Sequence, residues 1–219
     1  MQKRVAQLSD DTLEAELLRI ALDRFDFEYK RVPISWNIEK NEFDKDTIDI
    51  LIFDIGIDDF PILATIEKIR TWKPDVGVVI LTDCPDLRLL GLSLRELPFG
   101  SQILHRSDTA EISNLIEALH RSITAARDRE DARAIPLIPR SAQNNVLASL
   151  STLQVETLRL LASGLSNAEI AKTRDVSEKS IEHMVAKIAQ NLELKTDSKI
   201  NLRVCLAREY YISLGTARI

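Results

Sequence analysis

Short apolar runs alternate with stretches of helical periodicity through the first 125 residues. The apolar runs predict strands, and the periodic stretches predict helices. The predicted strands are residues 5–8, 48–53, 76–81 and 103–104, and the predicted helices are residues 13–25, 62–72 and 110–125. Short strands that are apolar on both faces and separated by helices are typical of a parallel sheet covered by helices on both sides. This part of the chain is therefore predicted to be an α/β domain.

Between residues 150 and 194 the pattern changes to three short helices separated by polar turns. Each predicted helix starts at a serine, and two of these serines are followed three residues later by Gln or Glu, the spacing of a capping box. The serines and their partners are Ser151 with Gln154, Ser166 with Glu169, and Ser177. Gly164 supplies a left-handed residue after the first helix. Short helices in this arrangement indicate a helix-turn-helix motif in an all-α domain.

The third of these helices has one apolar face and one polar face. Helical periodicity places Ile181, Val185, Ile188 and Leu192 together on the face that packs in the core. The opposite face of such a helix enters the major groove of double-stranded DNA, where polar side chains contact bases and phosphates. The predicted DNA-contacting residues on this face and its flanks are Lys172, Lys179, Ser180, Glu182, His183, Ala186, Lys187 and Lys195.

The run GLSNAEIA followed by VSEKSI resembles the helix-turn-helix domain of the LuxR/NarL transcription regulators. The resemblance implies DNA binding and a homodimer whose contact is made by a final helix, here the apolar stripe within residues 200–210. The chain departs from the family pattern at three positions. Glu182 stands where a basic or small polar residue is common, Met184 where His is common, and Glu193 where Gly is common. Base preference therefore does not transfer from a relative.

Polar side chains follow three of the predicted strands. Asp10 or Asp11 comes after the first strand, Asp54 after the second and Thr82 after the third. The carboxyl ends of parallel strands meet at one edge of the sheet, so these groups are expected to lie close together. Two carboxylates and a hydroxyl there could hold a divalent cation beside a phosphoryl acceptor, with Asp10 and Asp54 as candidate Mg²⁺ ligands.

The segments DILIFDIG and KIRTWKPDVGVVILTD resemble the receiver domain of response regulators, the flavodoxin-type parallel sheet of two-component systems. The resemblance places Asp54 on the phospho-acceptor and Thr82 on the switch threonine. It places the family's acidic pair on residues 9–10 or 10–11.

The last strand departs from that pattern. Where receiver domains have a lysine that contacts the phosphoryl group, this chain has His105 and Arg106. A guanidinium is a planar fork and an ammonium is a compact point charge, so the exchange is not neutral. We therefore predict a pseudo-receiver domain that is not switched by phosphorylation at Asp54.

The predicted domains are a receiver-like domain at residues 1–125, a linker at 126–147 and a LuxR-type helix-turn-helix domain at 148–219. A hinge is expected at residues 136–145, where two prolines interrupt helix. Of the net charge of −5, the residues from 146 onward carry +2 and the rest −7, so the predicted DNA-binding part is the less acidic one. No apolar run is long enough to span a membrane, and a cytoplasmic protein is expected.

These features predict a DNA-binding transcription regulator that is not an enzyme. The expected partners are double-stranded DNA and a second copy of the chain, with a sensor kinase and RNA polymerase as further candidates. No cofactor is expected, except Mg²⁺ if the receiver is phosphorylated. Two alternatives stay open: a conventional two-component response regulator phosphorylated at Asp54, and a protein-interaction adaptor that does not bind DNA.

Overall fold

The computed structural model describes residues 2–33, 48–55, 60–134, 146–194 and 200–214. The chain forms two compact units. The sheet unit comprises Met1–Asp83 and Leu94–Leu137, and the helical unit comprises Cys84–Ser93 and Ile138–Ile219. The hinge predicted at residues 136–145 lies outside the described residues, and the domain boundaries drawn from the sequence stay predictions.

Among its described residues, the sheet unit has six parallel strands in the order β2-β1-β3-β4-β5-β6. Three α-helices accompany them in the same part of the chain. The strands are β1 (Lys3–Leu8), β2 (Phe27–Val32), β3 (Ile50–Asp54), β4 (Gly77–Thr82), β5 (Gln102–His105) and β6 (Arg133–Ala134), and the helices are α1 (Thr12–Asp23), α2 (Phe60–Trp72) and α3 (Ile112–Arg127). The first five strands follow the flavodoxin-type order. The predicted α/β fold is therefore confirmed.

The two central strands carry the core. All six residues of β4 and the first four of β3 are buried, which explains why both strands were evident as unbroken apolar runs. The sequence pattern missed β2 at the edge of the sheet. Only Phe27 and Val32 of that strand are buried, and the charged residues Glu28, Lys30 and Arg31 between them are exposed. Charged side chains on an edge strand discourage pairing with another chain, and they also hide the strand from a search for apolar runs.

The helical unit contains α4 (Thr152–Ala162), α5 (Asn167–Thr173), α6 (Glu178–Asn191) and α7 (Leu202–Ser213). The predicted caps form. Ser151 Oγ accepts from the backbone N–H of Gln154, whose side chain accepts from the Ser151 backbone N–H, so this capping box is complete. Ser166 and Ser177 cap α5 and α6 with one bond each, since their hydroxyl oxygens accept from the backbone N–H groups of Glu169 and Ser180. The three-helix arrangement predicted for this region is therefore confirmed.

Two residues at the ends of these helices have left-handed backbone. Gly164, after α4, has φ +92°, as the sequence predicts. Glu193, after α6, has φ +51°, and the next backbone N–H, of Leu194, donates to the carbonyl of Ala189. A side chain in this conformation costs free energy that glycine does not, which gives a physical reason for the glycine common here in the resembled family.

Residues 84–93 belong to the helical unit although they lie between β4 and β5 in the chain. Within that unit Arg88 is paired with Asp86 at 2.6 Å and donates to the carbonyl of Leu150 at 2.8 Å. The Tyr210 hydroxyl donates to the carbonyl of Leu89 at 2.7 Å, and burial raises the pKa of Tyr210 to about 12. Buried hydrogen bonds of this kind fix the segment in place.

Candidate functional site

The carboxyl ends of the central strands place the predicted receiver residues along one edge of the sheet. Asp54 is the last residue of β3, Thr82 the last of β4 and His105 the last of β5. Thr82 and His105 are register partners, and Asp54 is the register partner of Leu81. The strand pairing therefore agrees with the expectation that Asp54 and Thr82 lie at the same edge of the sheet.

Arg106 binds the carboxylates at this edge. Its Nη2 lies 2.6 Å from Oδ1 of Asp54, its Nη1 donates to Oε1 of Glu14, and its Nε lies 3.4 Å from Oδ2 of Asp83. The Arg106 and Asp54 side chains are 31% and 25% exposed, so the pair is only partly screened by solvent. Arg106 and its three carboxylate partners are called the Arg106 cluster below.

Two opposing effects act on the charge of Arg106. Burial by itself lowers the pKa of its guanidinium. The hydrogen bond to Glu14 and the charges of Asp54 and Asp83 outweigh that effect and raise the pKa above its ordinary value. The guanidinium is therefore a permanent cation beside the candidate phospho-acceptor, on the side where receiver domains have their lysine.

Of the two acidic residues after β1, Asp11 has a capping role that the sequence analysis did not assign to it. Asp11 is the N-cap of α1, and its Oδ1 accepts from the backbone N–H groups of Leu13 at 2.9 Å and Glu14 at 3.0 Å. Asp10 is exposed. The carboxylate that joins Asp54 in the Arg106 cluster is instead Glu14, which the sequence analysis missed.

Thr82 and His105 make hydrogen bonds to the backbone and to a neighbouring serine. The buried Thr82 hydroxyl donates to the carbonyl of Ile55 at 3.1 Å. The His105 ring lies 2.8 Å from the carbonyl of Asp83 through Nε2 and 2.8 Å from Oγ of Ser107 through Nδ1. In the parts of the chain that the structure describes, no group of three or more His, Cys, Asp or Glu side chains is placed to hold a metal ion. The Mg²⁺ ligands Asp10 and Asp54 stay a prediction.

The polar face of α6 is open to solvent. Ile181, Ile188 and Leu192 are buried as predicted, whereas Val185 is only half-buried. Every predicted DNA-contacting residue that the structure describes is exposed, namely Lys172, Lys179, Ser180, Glu182, His183, Ala186 and Lys187. Lys195 lies outside the described residues. The Ser180 hydroxyl is 2.8 Å from that of Ser177, so it also takes part in the cap of α6.

Two arginines of the helical unit hold helices together instead of facing outward. Arg174 binds the hydroxyl of Thr157 and lies 3.7 Å from Glu156, which ties the end of α5 to α4. Arg203 donates to the side chain of Asn167 at 2.8 Å and to the carbonyl of Leu165, which ties α7 to the turn before α5. The exposed cations of α5 and α6 are therefore the three lysines Lys172, Lys179 and Lys187.

The face of α7 that is open to solvent differs from the predicted apolar stripe. Leu206 and Tyr210, which the sequence placed in a dimer contact, are buried inside the helical unit. The exposed apolar residues of this helix are Val204, Tyr211 and Ile212. Periodicity alone identified one apolar face and could not show that the unit's own core covers it.

Together these features describe a flavodoxin-type sheet domain combined with a helix-turn-helix domain. Residues 148–203 match the family described as bacterial regulatory proteins, luxR family. The C-terminal part of the chain therefore matches a family of regulatory proteins, and the resemblance noted from its motifs is confirmed. No helix among the described residues is long and apolar enough to cross a membrane.

Two curated relatives are response regulators. The chain is 26% identical over 148 residues to the response regulator protein VraR of Staphylococcus saprophyticus, which covers 67% of this chain and 69% of the relative. It is also 26% identical over 146 residues to the nitrate/nitrite response regulator protein homolog of Haemophilus influenzae, covering 67% of this chain and 68% of the relative.

Solved structures of the same fold include RcsB proteins. A structure of two RcsB dimers bound to two parallel DNAs superposes with a TM-score of 0.52 at 19% identity, covering 98% of this chain and 100% of the other. RcsB from Salmonella enterica serovar Typhimurium, bound to the promoter rprA with the phosphomimetic BeF3−, gives a TM-score of 0.51 at 19% identity, covering 95% and 98%. At these identities the match establishes the shared fold.

The Arg106 cluster generates a stability prediction. Replacing Arg106 with Met leaves the carboxylates of Glu14 and Asp54 side by side without their counterion, and we expect the free energy of unfolding of the sheet unit to fall by about 1–3 kcal/mol. Urea denaturation followed by tryptophan fluorescence measures this, because both tryptophans, Trp36 and Trp72, precede residue 126. Arg19→Met is the matched control, since the Arg19–Glu16 pair is about half exposed and its loss should not be measurable. Equal stability of the Arg106 variant and this control would contradict the assignment.

Proposed function

We propose that this protein is a transcription regulator that reads double-stranded DNA with α6 and is not switched by phosphorylation of its sheet domain. The first half of the proposal is carried by the exposed polar face of α6 in a luxR-family domain. Its apolar face is buried, its start is capped by Ser177, and its outer face presents lysines together with side chains that can reach base edges.

The exposed polar face of α6 carries two kinds of side chain. Lys179 and Lys187 are point charges suited to phosphates, and such contacts position a protein without selecting sequence. Glu182 is exposed between them and can accept a hydrogen bond from the amino group of cytosine. The acidic residue that departs from the family pattern therefore becomes a specificity residue in this proposal.

A dimer would join two such helices. RcsB, which shares the fold, has been solved as dimers bound to DNA, and the exposed side chains of Val204, Tyr211 and Ile212 give α7 of this chain an apolar outer face. A single domain with three exposed lysines on α5 and α6 binds DNA weakly at physiological salt. Pairing two half-sites raises the affinity without new base contacts.

The second half of the proposal rests on the contact between Arg106 and Asp54. Phosphorylation requires a carboxylate oxygen of Asp54 to attack phosphorus while cations neutralise the charge that develops on the phosphoryl oxygens. Here Oδ1 of Asp54 lies 2.6 Å from a guanidinium that Glu14 also binds. Because an ion pair of this kind withdraws the oxygen from attack, regulation would come from protein level, a binding partner or a ligand. No cofactor is proposed, and Mg²⁺ would bind only in a phosphorylated state.

Changes on α6 test the DNA-binding proposal. Lys179→Ala and Lys187→Ala should each weaken binding to all sequences alike and lower the slope of log K against log salt by about 1. Glu182→Ala should instead change base preference at one position, by about 1–3 kcal/mol. Gel shifts on a site selected from random duplexes measure both effects, with Lys30→Ala on β2 as the matched control. If all three variants bind DNA like the control, α6 does not contact DNA, and the result favours the alternative of a protein-interaction adaptor.

A second comparison tests the switch. Asp54→Asn should leave DNA affinity within about twofold of the parent protein, with or without an acyl phosphate donor, since Asp54 is not the input in this proposal. Asp83→Asn is the matched control, because Asp83 also binds Arg106 but is 65% exposed and is not the acceptor candidate. The acyl phosphate donor could instead raise the DNA affinity of Asp83→Asn but not that of Asp54→Asn. That result would support the alternative of a conventional response regulator phosphorylated at Asp54.

A further inference from the structure

The sheet unit contains a cleft of about 510 Å³ at the edge opposite Asp54. Its walls are the last turn of α2, the loop ahead of β5 and the turn after α3, so it lies where β4, β5 and β6 begin. Three arginines line it, Arg70, Arg95 and Arg129, together with the exposed Glu67 and Glu96. Nothing in the proposed function uses this part of the molecule.

Arg70 lacks the acceptors that a buried guanidinium needs. The residue is 9% exposed, and its Nη2 donates to the carbonyl of Val76 at 3.3 Å. Its Nε and Nη1 are buried and have no hydrogen-bond partner among the described residues. Burying a charge without acceptors costs several kcal/mol, and native structures satisfy nearly all such groups. Within the described residues, the charge of Arg70 is therefore only partly balanced, by the Val76 carbonyl.

Phe99 brings a second cation close to the first. The Cζ atom of Arg70 lies 4.3 Å from the centre of the Phe99 ring, and that of Arg129 lies 4.6 Å from the same centre. The two charges are thus at most about 9 Å apart. Burial, and then the charge of Arg129, lower the pKa of Arg70 to about 10, which still leaves Arg70 charged at neutral pH. An anion beside them would offset both the repulsion and the burial.

Gly100 holds the two arginine-bearing turns together. It has φ +71°, and a Cβ atom there would lie 2.4 Å from the backbone nitrogen of Ala126. Its own backbone N–H donates to the carbonyl of Glu130 at 2.5 Å. Because only glycine allows this close approach, the loop that carries Phe99 is fixed against the turn that carries Arg129. The cleft is therefore formed before any ligand arrives.

We propose that this cleft binds a small organic anion, a compact apolar molecule that bears a carboxylate or a phosphate. Arginine is the side chain best matched to either oxyanion, because its fork donates two parallel hydrogen bonds. The remaining walls include Leu97, two prolines and the ring of Phe99, which suit an apolar body. The volume lies within the usual range for ligand sites. Three arginines and two glutamates line the cleft, so its local charge is positive although residues 1–145 carry −7 overall.

The probes are benzoate and phenyl phosphate, with benzamide as the neutral analogue of the same shape as benzoate. Each is titrated into the full chain while thermal unfolding and NMR chemical shifts are recorded. At least one of the two anions should bind with a Kd of about 1 mM or tighter and raise the melting temperature, and benzamide should do neither. Binding of benzoate but not phenyl phosphate would identify a carboxylate site. Binding of phenyl phosphate but not benzoate would identify a phosphate site.

Three variants show whether the arginines hold the anion. Arg129→Asn should weaken binding at least fivefold, and Asn tolerates the left-handed backbone that Arg129 adopts at φ +55°. Arg127→Asn is the matched control. It removes the same charge two residues earlier in the chain, and the Arg127 side chain does not line the cleft. Arg70→Met should abolish the response to anions while the melting temperature of the free protein stays equal or rises, since Met fills the apolar volume without a buried charge.

Three results would overturn the proposal. Benzamide could bind as well as both anions, which would leave an apolar cleft without charge recognition. Arg129→Asn could bind the anions as well as Arg127→Asn does. A folded Arg70→Met variant could melt at a lower temperature and keep the parent affinity, which would make Arg70 a structural residue. If Arg70→Met does not fold, the comparison of Arg129→Asn with Arg127→Asn decides the question.

Discussion

A single guanidinium organises the functional edge of the sheet. Arg106 follows β5 directly and binds Glu14 from the start of α1, Asp54 from the end of β3 and Asp83 after β4. Three carboxylates at one edge would repel one another without a cation between them. The positions of these side chains therefore depend on Arg106, and the proposal that Asp54 is not phosphorylated rests on the same ion pair.

The two ends of the strands differ in what they offer a ligand. At the carboxyl edge the positive charge of Arg106 is balanced by the carboxylates of the Arg106 cluster. At the amino edge Arg70 is buried with two nitrogens that lack acceptors in the described structure. This difference is the basis for the anion cleft proposed at the amino edge. Under the proposed function, signals reach the protein by a route other than Asp54.

The sequence was most informative where apolar runs, caps and glycine carry the structure. The strands β3 and β4, the serine caps of α4 to α6 and the left-handed Gly164 were all predictable, because each depends on local spacing. The edge strand β2 was not, since its apolar residues are separated by charges. Glu14 was missed because its role depends on Arg106, 92 residues away in the chain. The burial of Tyr210 depends on Leu89, 121 residues away, so periodicity alone assigned it to a dimer face.

The central claim is that the Arg106 cluster keeps Asp54 from being phosphorylated. Incubating the full chain with acetyl phosphate and Mg²⁺, followed by intact mass spectrometry at short times, tests it most directly. A conventional receiver that is known to accept acetyl phosphate serves as the positive control under the same conditions. The account predicts that the unmodified mass remains dominant while that control is labelled. Near-stoichiometric addition of one phosphoryl group, lost in Asp54→Asn, would contradict it.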